Sequence, residues 1–385
     1  MPEEYIPPEA LKEFTQYGVK KENETAPREK LAQDVRDIIE REDFVFDPDT
    51  HARIEMQVAQ AKRYIFAVGK RQEGGVAVER FLKIPVNDNP EIDEPFKRQI
   101  EFSKFLKKDG RIKTRGVIEA NTDRKQGSPF AVMETFREDE ARIGFISGAE
   151  DMEFLTNKEA QSCIKTLETL QEIDTSDMTP EFKECLQKVD MDAQSLIDEI
   201  MNNLEEKVVP EDTEKEELYH EVLNRRFGIT DFKDRVIKLL EYLKDTLKEE
   251  DDKEEVLVHG DLAPNNLYVY DNGDVEFLDL EWAGITKNKA IGTVIDFGNL
   301  RARAWNNKEF REGLDIELLD GYKKNGKEKL GRAVASLGIL RSHMGLAGFF
   351  ENYDLEKQRR EEQKNRREST EADIVKAWEI AGLKF

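Results

Sequence analysis

Two short segments of this chain hold the residue types that a phosphoryl-transfer site needs. In Val256–Tyr270, VLVHGDLAPNNLYVY, Asp261 and Asn266 lie on a loop between apolar runs, and in Val275–Glu281, VEFLDLE, Asp279 ends a second strand-like run. The turn signal Asp271, Asn272, Gly273 joins the two, so a hairpin returns Asp279 to the side of the loop. In-line transfer from a nucleotide needs a carboxylate beside the attacking hydroxyl and oxygen ligands that hold Mg²⁺ against the phosphates. Asp261 would orient the hydroxyl and accept its proton. Asn266 would give the metal a neutral oxygen and Asp279 a charged one, which suffices because Mg²⁺ keeps several waters and takes further ligands from phosphate. Without a ligand, the same residues are an acidic turn between two strands, but two linked segments at a fitting separation are more specific than a lone glycine-rich loop. His259 has no Cys or second His nearby and reads as a hydrogen-bonded loop residue rather than a metal ligand or base.

HGDLAPNN at His259–Asn266, followed by LDLE at Leu278–Glu281, resembles the catalytic and metal-binding segments of the aminoglycoside phosphotransferase and choline kinase-like family. The family pattern is similar to HGDLHPGN and then IDWE, so this chain departs at Ala263, Asn265 and Leu280 and keeps every ligand position. Gly260 stands where protein kinases carry Arg, and DLE replaces their DFG, which favours a small-molecule acceptor. The resemblance implies an α+β, bilobal, protein-kinase-like fold, with a small β-rich N-lobe and a larger, mainly helical C-lobe. It also implies Mg²⁺, ATP or GTP as donor, and transfer of the γ-phosphoryl group to a hydroxyl of an aminoglycoside, amino-alcohol or sugar-like acceptor, with Asp261 as catalytic base. A kinase-shaped, nucleotide-binding regulatory protein without turnover is the competing reading.

A nucleotide-holding lobe should lie upstream. Val76–Ile84 reads as a strand following Gly74 and Gly75, and its Lys83 matches the family lysine that neutralises α- and β-phosphate oxygens. A carboxylate from the next helix, Glu94–Leu106, should fix that lysine's direction. Gln99 occupies the position where alignment to the final Leu expects Glu, and Glu101 lies two residues on. Residues two apart face different sides of a helix, so only one can be the partner, and Glu101 is narrowly preferred. The plain alternative is a solvated strand-end lysine and a surface glutamate.

Pro129–Phe136, PFAVMETF, resembles the family hinge: the carbonyl of Glu134 and the N–H of Phe136 would hold an adenine edge, with Met133 lining the pocket. It equally reads as a buried strand leading into a loop. No clear glycine-rich loop precedes Lys83; the best candidate is the turn within Gln57–Lys62. Asp296, in GTVIDFG, lies too far beyond Asp261 to be the hairpin partner. In the resembling family an Asp there opens a helix and braces the catalytic loop; it would also serve as an ordinary N-cap.

With 385 residues and 38% hydrophobic content, the chain can build one large core or two lobes. Residues 1–43 read as a helical extension, 44–134 as the nucleotide lobe, and 135–385 as the helical lobe, with helices at about 180–255 that the family resemblance implies bind the acceptor, and further helices at the C-terminus. Thr156–Ile173 has helical periodicity and carries Leu170 and Gln171 where the family helix ends in Leu-His. Phe232–Leu247 aligns Val236, Leu240, Leu243 and Leu247 on one face. His343 reads as a satisfied helix histidine, Glu356–Arg367 as a solvated mixed-charge helix, and Ala372–Leu383 as an amphipathic segment docking on the larger lobe or a partner.

There is no long apolar run, and the start lacks a basic region followed by an apolar stretch, so a cytoplasmic location and no membrane partner are expected. Cys163 and Cys185 form no metal pattern. A formal charge of −23 argues against nucleic acid as partner. Lys83 and Mg²⁺ would then concentrate positive charge locally, while an acidic site would attract a cationic acceptor; acidity that only maintains solubility is the alternative.

Overall fold

The computed structural model describes residues 25–59, 63–85, 90–136, 141–146, 149–189, 191–203, 232–248, 255–346, 369 and 372–383. The chain divides into two compact units, one of residues up to Asp93 with Ile118–Thr135, the other of Glu94–Val117 with Phe136 onward.

In chain order the first unit contains α1 (Thr25–Arg41), β1 (Phe44–Val45), α2 (Pro48–Ala59), β2 (Tyr64–Glu73) and β3 (Val76–Pro85), then the start of α3 (Pro90–Asp109), β4 (Val117–Asn121) and β5 (Phe130–Glu134). The strands form one five-stranded sheet in the order β1-β2-β3-β5-β4. Gly74 and Gly75 turn β2 into β3 with φ of 57° and 85°, a region open to glycine because it lacks Cβ. Side chains alternate across the sheet. Ile65, Ala67, Leu82, Ile84, Phe130 and Val132 pack against Val35 and Ile38 of α1 and Ile54 and Val58 of α2. The register pairs Phe66 with Lys83 and Phe81 with Met133, which puts these four on the opposite face. A slip of one residue would drive Lys83 into the apolar layer, so burial of the first face fixes where the lysine emerges. Between β1 and β2 the chain forms α2 rather than a glycine-rich turn: Gln57 lies inside that helix, and residues 60–62 of the candidate phosphate loop lie outside the described residues.

The second unit continues with β6 (Ala141–Phe145), α4 (Ala149–Met152), α5 (Asn157–Gln171), α6 (Pro180–Cys185), β7 (Gln187–Val189), α7 (Ala193–Asn203), α8 (Phe232–Lys248), β8 (Val256–Val258), β9 (Leu267–Tyr270), β10 (Val275–Phe277), β11 (Gly284–Thr286), α9 (Lys289–Arg303), α10 (Lys308–Lys324) and α11 (Glu328–Leu346). Helices dominate it, with two three-stranded sheets, β10-β9-β6 and β7-β11-β8. Thr156 opens α5 with a capping box: the Glu159 carboxylate accepts the Thr156 N–H at 2.8 Å. The stripe Ala160, Cys163, Ile164, Leu167 of α5 and the stripe Val236, Leu240, Leu243, Leu247 of α8 both enter the main core, as their spacing requires. Residues 372–381 are helical and dock back onto this unit. Ile374, Ala377 and Trp378 enter the core, and Ser336 Oγ donates to the Ala377 carbonyl at 2.8 Å.

Residues 94–117, read from sequence with the nucleotide lobe, group with the second unit. The cause is burial: Phe102, Leu106 and Ile112 share an apolar cluster with Leu170, Ile173, Met178, Phe182 and Leu257. The N-terminal part of the expected helical extension, residues 204–231 and the mixed-charge run 356–367 lie outside the described residues. No helix among the described residues is long and apolar enough to cross a membrane.

Phe102 is fully buried, so Phe102→Ala is expected to cost about 3–5 kcal/mol. Urea denaturation followed by circular dichroism checks this; an unchanged midpoint would mean that α3 is not anchored through this cluster.

Candidate active site

The hairpin β9–β10 closes through Gly273, at φ 79°, whose N–H donates to the Tyr270 carbonyl at 2.9 Å. Its register pairs Leu267 with Phe277, and one step further the Leu278 N–H donates to the Asn266 carbonyl at 2.8 Å. Asn266 and Asp279 therefore emerge at the same end of the hairpin. Asn266 is buried, and its Nδ2 donates to the Asp261 carbonyl at 2.8 Å, which turns its Oδ1 the other way, with Asn265 Nδ2 at 3.3 Å. Asp279 adopts the left-handed conformation, φ 55° and ψ 58°, which strains a residue with a Cβ by roughly 1–2 kcal/mol. Such strain in a carboxylate residue is characteristic of functional positions. One amide oxygen and one carboxylate are hard donors, the set that suits Mg²⁺.

The loop bearing Asp261 is held by His259 and by Asp296. His259 is fully buried; its Nε2 lies 2.7 Å from the Leu278 carbonyl, and its Nδ1 accepts the Asp261 N–H at 3.4 Å. That pattern requires a neutral ring with its proton on Nε2, and burial holds the imidazole below its ordinary pKa. His259 thus ties the Asp261 loop to the peptide before Asp279 and acts as neither ligand nor base.

From below, Asp296 accepts the His259 N–H on Oδ2 and the Gly260 N–H on Oδ1, each at 2.8 Å. Asp296 is not an N-cap, which corrects one of its two expected roles. It lies inside α9, whose cap is Asn288, accepting the Ile291 N–H at 3.0 Å. Burial pushes its carboxyl pKa up, and the two N–H donors oppose that shift. Beyond Asp279, Arg98 of α3 donates to the carbonyls of Glu281 and Cys185. Gly260 completes the loop at φ 82°, where a Cβ would overlap the Trp282 carbonyl.

Asp261 itself is 29% exposed, and its Oδ1 pairs with Nη2 of Arg303 at 2.8 Å. Arg303 is absent from the motif-based reading. A signal for it existed: Asp296, Asn299 and Arg303 follow at helical spacing and share one face of α9. Asn299 Nδ2 donates to the Gly260 carbonyl at 3.4 Å, so this stripe contacts the loop at residues 259, 260 and 261 in turn.

Lys83, Met133 and Glu134 belong to the first unit. Lys83 is buried, with its ammonium 3.9 Å from the ring centre of Tyr64 and 5.4 Å from that of Phe66, two aromatics that motif matching does not reveal. Met133 is buried on the same sheet face, and Glu134 ends β5. Phe136 and Glu101 belong to the second unit. Phe136 stacks on Tyr268 with ring centres 3.9 Å apart, and the Arg115 guanidinium lies 4.0 Å from its centroid, which holds its backbone in place. Glu101 sits on the partly exposed side of α3 and pairs with Lys104 at 2.8 Å, whereas Gln99 lies on the buried side with Phe96, Ile100 and Ser103.

The sequence profile of the phosphotransferase enzyme family matches residues 64–330. Curated proteins give no match. Among solved structures, this chain is similar to a choline/ethanolamine kinase family protein from Mesorhizobium loti, at 12% identity over 82% of this chain and 84% of that one, with a TM-score of 0.44. A putative aminoglycoside phosphotransferase from Ralstonia eutropha gives 13%, 82%, 92% and 0.47. An ethanolamine kinase from Plasmodium vivax gives 14%, 97%, 95% and 0.43.

Two substitutions probe the loop's support. Asp296→Asn replaces an acceptor by a donor opposite a buried N–H and is expected to lower stability by about 1–3 kcal/mol, read as a fall in Tm. Gly260→Ala should cost at least about 1–3 kcal/mol through strain at positive φ, and should reduce turnover where Asp296→Asn alone leaves a folded protein.

Proposed function

The chain belongs to the phosphotransferase enzyme family, and on that premise we propose that it transfers the γ-phosphoryl group of ATP or GTP to a hydroxyl of a small molecule. One observation carries the proposal: a part-exposed carboxylate, Asp261, rides on a backbone fixed at residues 259 and 260 and shares its loop system with Asn266 and Asp279.

Asp261 is the general base. Its Oδ1 is engaged by Arg303, which leaves Oδ2 for the acceptor hydroxyl. As transfer proceeds, the acceptor oxygen bonds to the γ-phosphorus and the bond from phosphorus to the β,γ-bridging oxygen breaks, leaving its electron pair on the nucleoside diphosphate. The hydroxyl proton passes to Asp261. Positioning a carboxylate in this way contributes typically 10²–10⁴-fold, and fixing it on a rigid loop avoids reorganisation during the reaction.

Asn266 and Asp279 would hold Mg²⁺. When bound, the ion neutralises phosphate charge and aligns the transferring group. Lys83 would hold the α- and β-phosphates, and the aromatic rings under its ammonium stabilise its charged form in a buried setting. Glu101 would be the carboxylate that orients Lys83. The Glu134 carbonyl and Phe136 N–H would read the base edge, with Met133 beside it.

Release of ADP in the presence of small hydroxylated acceptors tests the function. Asp261→Asn is expected to lower kcat by about 10²–10⁴-fold and to retain nucleotide binding, measured by calorimetry. Nucleotide binding by the native protein with no turnover would favour a regulatory protein instead. Equal turnover in Asp261→Asn would remove the base from the mechanism.

A further inference from the structure

Arg303 ends α9 and sets one guanidinium nitrogen 2.8 Å from Oδ1 of Asp261. A guanidinium is a planar fork of five N–H donors, matched to two parallel bonds with a carboxylate or phosphate. The Asp261 oxygen is its only partner among the described residues, and the side chain remains 37% exposed. Its neighbour in the same helical turn behaves differently. Arg301 is 3% exposed and bound to Asp315 at 2.6 Å and Asp373 at 2.9 Å, so it serves the core. A cation at a helix C-terminus is favourable wherever it points, yet Arg303 lies on the helix face of Asp296 and Asn299 and so points its fork at the reacting carboxylate.

The hydroxyl to be phosphorylated must come to Asp261, and therefore beside Arg303. A positive acceptor group would meet a like charge there, which at such separations lowers affinity by about tenfold or more. A negative group would find donors of the right geometry that no other described residue engages. We propose that Arg303 recognises the acceptor, and that the acceptor is a small hydroxylated molecule with an anionic oxygen group, carboxylate or phosphate, near the hydroxyl that Asp261 orients. The proposal rests on the phosphotransferase reading above and narrows it. It sets the local charge at the base against the net charge of −23, which by itself favours a cationic acceptor. Long-range attraction is screened beyond roughly 10 Å at ordinary ionic strength, and a contact at the reacting carboxylate is not. During transfer Arg303 keeps its proton and forms no covalent bond.

Two matched series test the idea by ADP release. The first is glycerol, 3-amino-1,2-propanediol, glycerate and glycerol 3-phosphate; the second is glucose, glucosamine, glucuronate and glucose 6-phosphate. The expected result is turnover with an anionic member and little with the cationic ones, and comparing carboxylate with phosphate members tells which anion is read. In Arg303→Gln, KM for that acceptor should rise about 10- to 100-fold with a smaller change in kcat, and Arg303→Lys should recover part of the loss. Fastest turnover with a neutral or cationic member overturns the proposal and leaves the phosphotransferase reading standing. A fall in kcat with unchanged KM in Arg303→Gln also overturns it, because Arg303 then only positions Asp261. ADP release with none of the compounds overturns both.

Discussion

The loop that carries Asp261 stands on one buried carboxylate. Asp296 has no exposure to water, and the backbone N–H groups of His259 and Gly260 point inward beside it. Neither side can be left unpaired: a buried carboxylate without donors and buried N–H groups without an acceptor are each costly. Their mutual satisfaction fixes two consecutive peptides, and hence the direction of the next side chain. The same helix face then supplies Asn299 to the Gly260 carbonyl and Arg303 to the Asp261 side chain. A single helix thereby fixes both the main chain and the Asp261 side chain of the loop.

The hairpin extends this rigidity to Asn266 and Asp279. His259 bridges from the braced loop to the Leu278 carbonyl, one residue before Asp279, and Asn266 bridges back to the Asp261 carbonyl. Arg98 holds the chain just beyond Asp279 through the Glu281 carbonyl. Such contacts over-determine a left-handed aspartate that would otherwise relax to a commoner conformation. Strain at Asp279 is sustained by hydrogen bonds on both sides of it in sequence.

Charge is organised at two scales. The whole chain is strongly acidic, which sets a weak, screened field. Locally the sequence places single cations: Lys83 over two aromatic rings in one unit, and Arg303 against Asp261 in the other. At contact distance these outweigh the distant surplus of carboxylates, so acceptor preference cannot be taken from net charge.

The family, the mixed fold with its sheet-rich and helical units, and the residues of the two motifs were legible because they are written in contiguous stretches: HGDLAPNN, LDLE, the strand signal of β3 after Gly74 and Gly75, and helical periodicity in α5 and α8. These depend on neighbours within a few residues, which a sequence displays directly. Other features depend on groups far apart in the chain that burial forces together. Asp296 is an internal brace and not a cap because α9 begins earlier, at Asn288. Residues 94–117 belong with the helical unit because Phe102 and Leu106 find their apolar partners there. Arg303 meets Asp261 only when α9 packs beneath the loop. Local pattern thus determined which groups can do chemistry, and tertiary packing decided which of them are held, strained or paired, since burial leaves each polar group only the partners that the fold brings within reach.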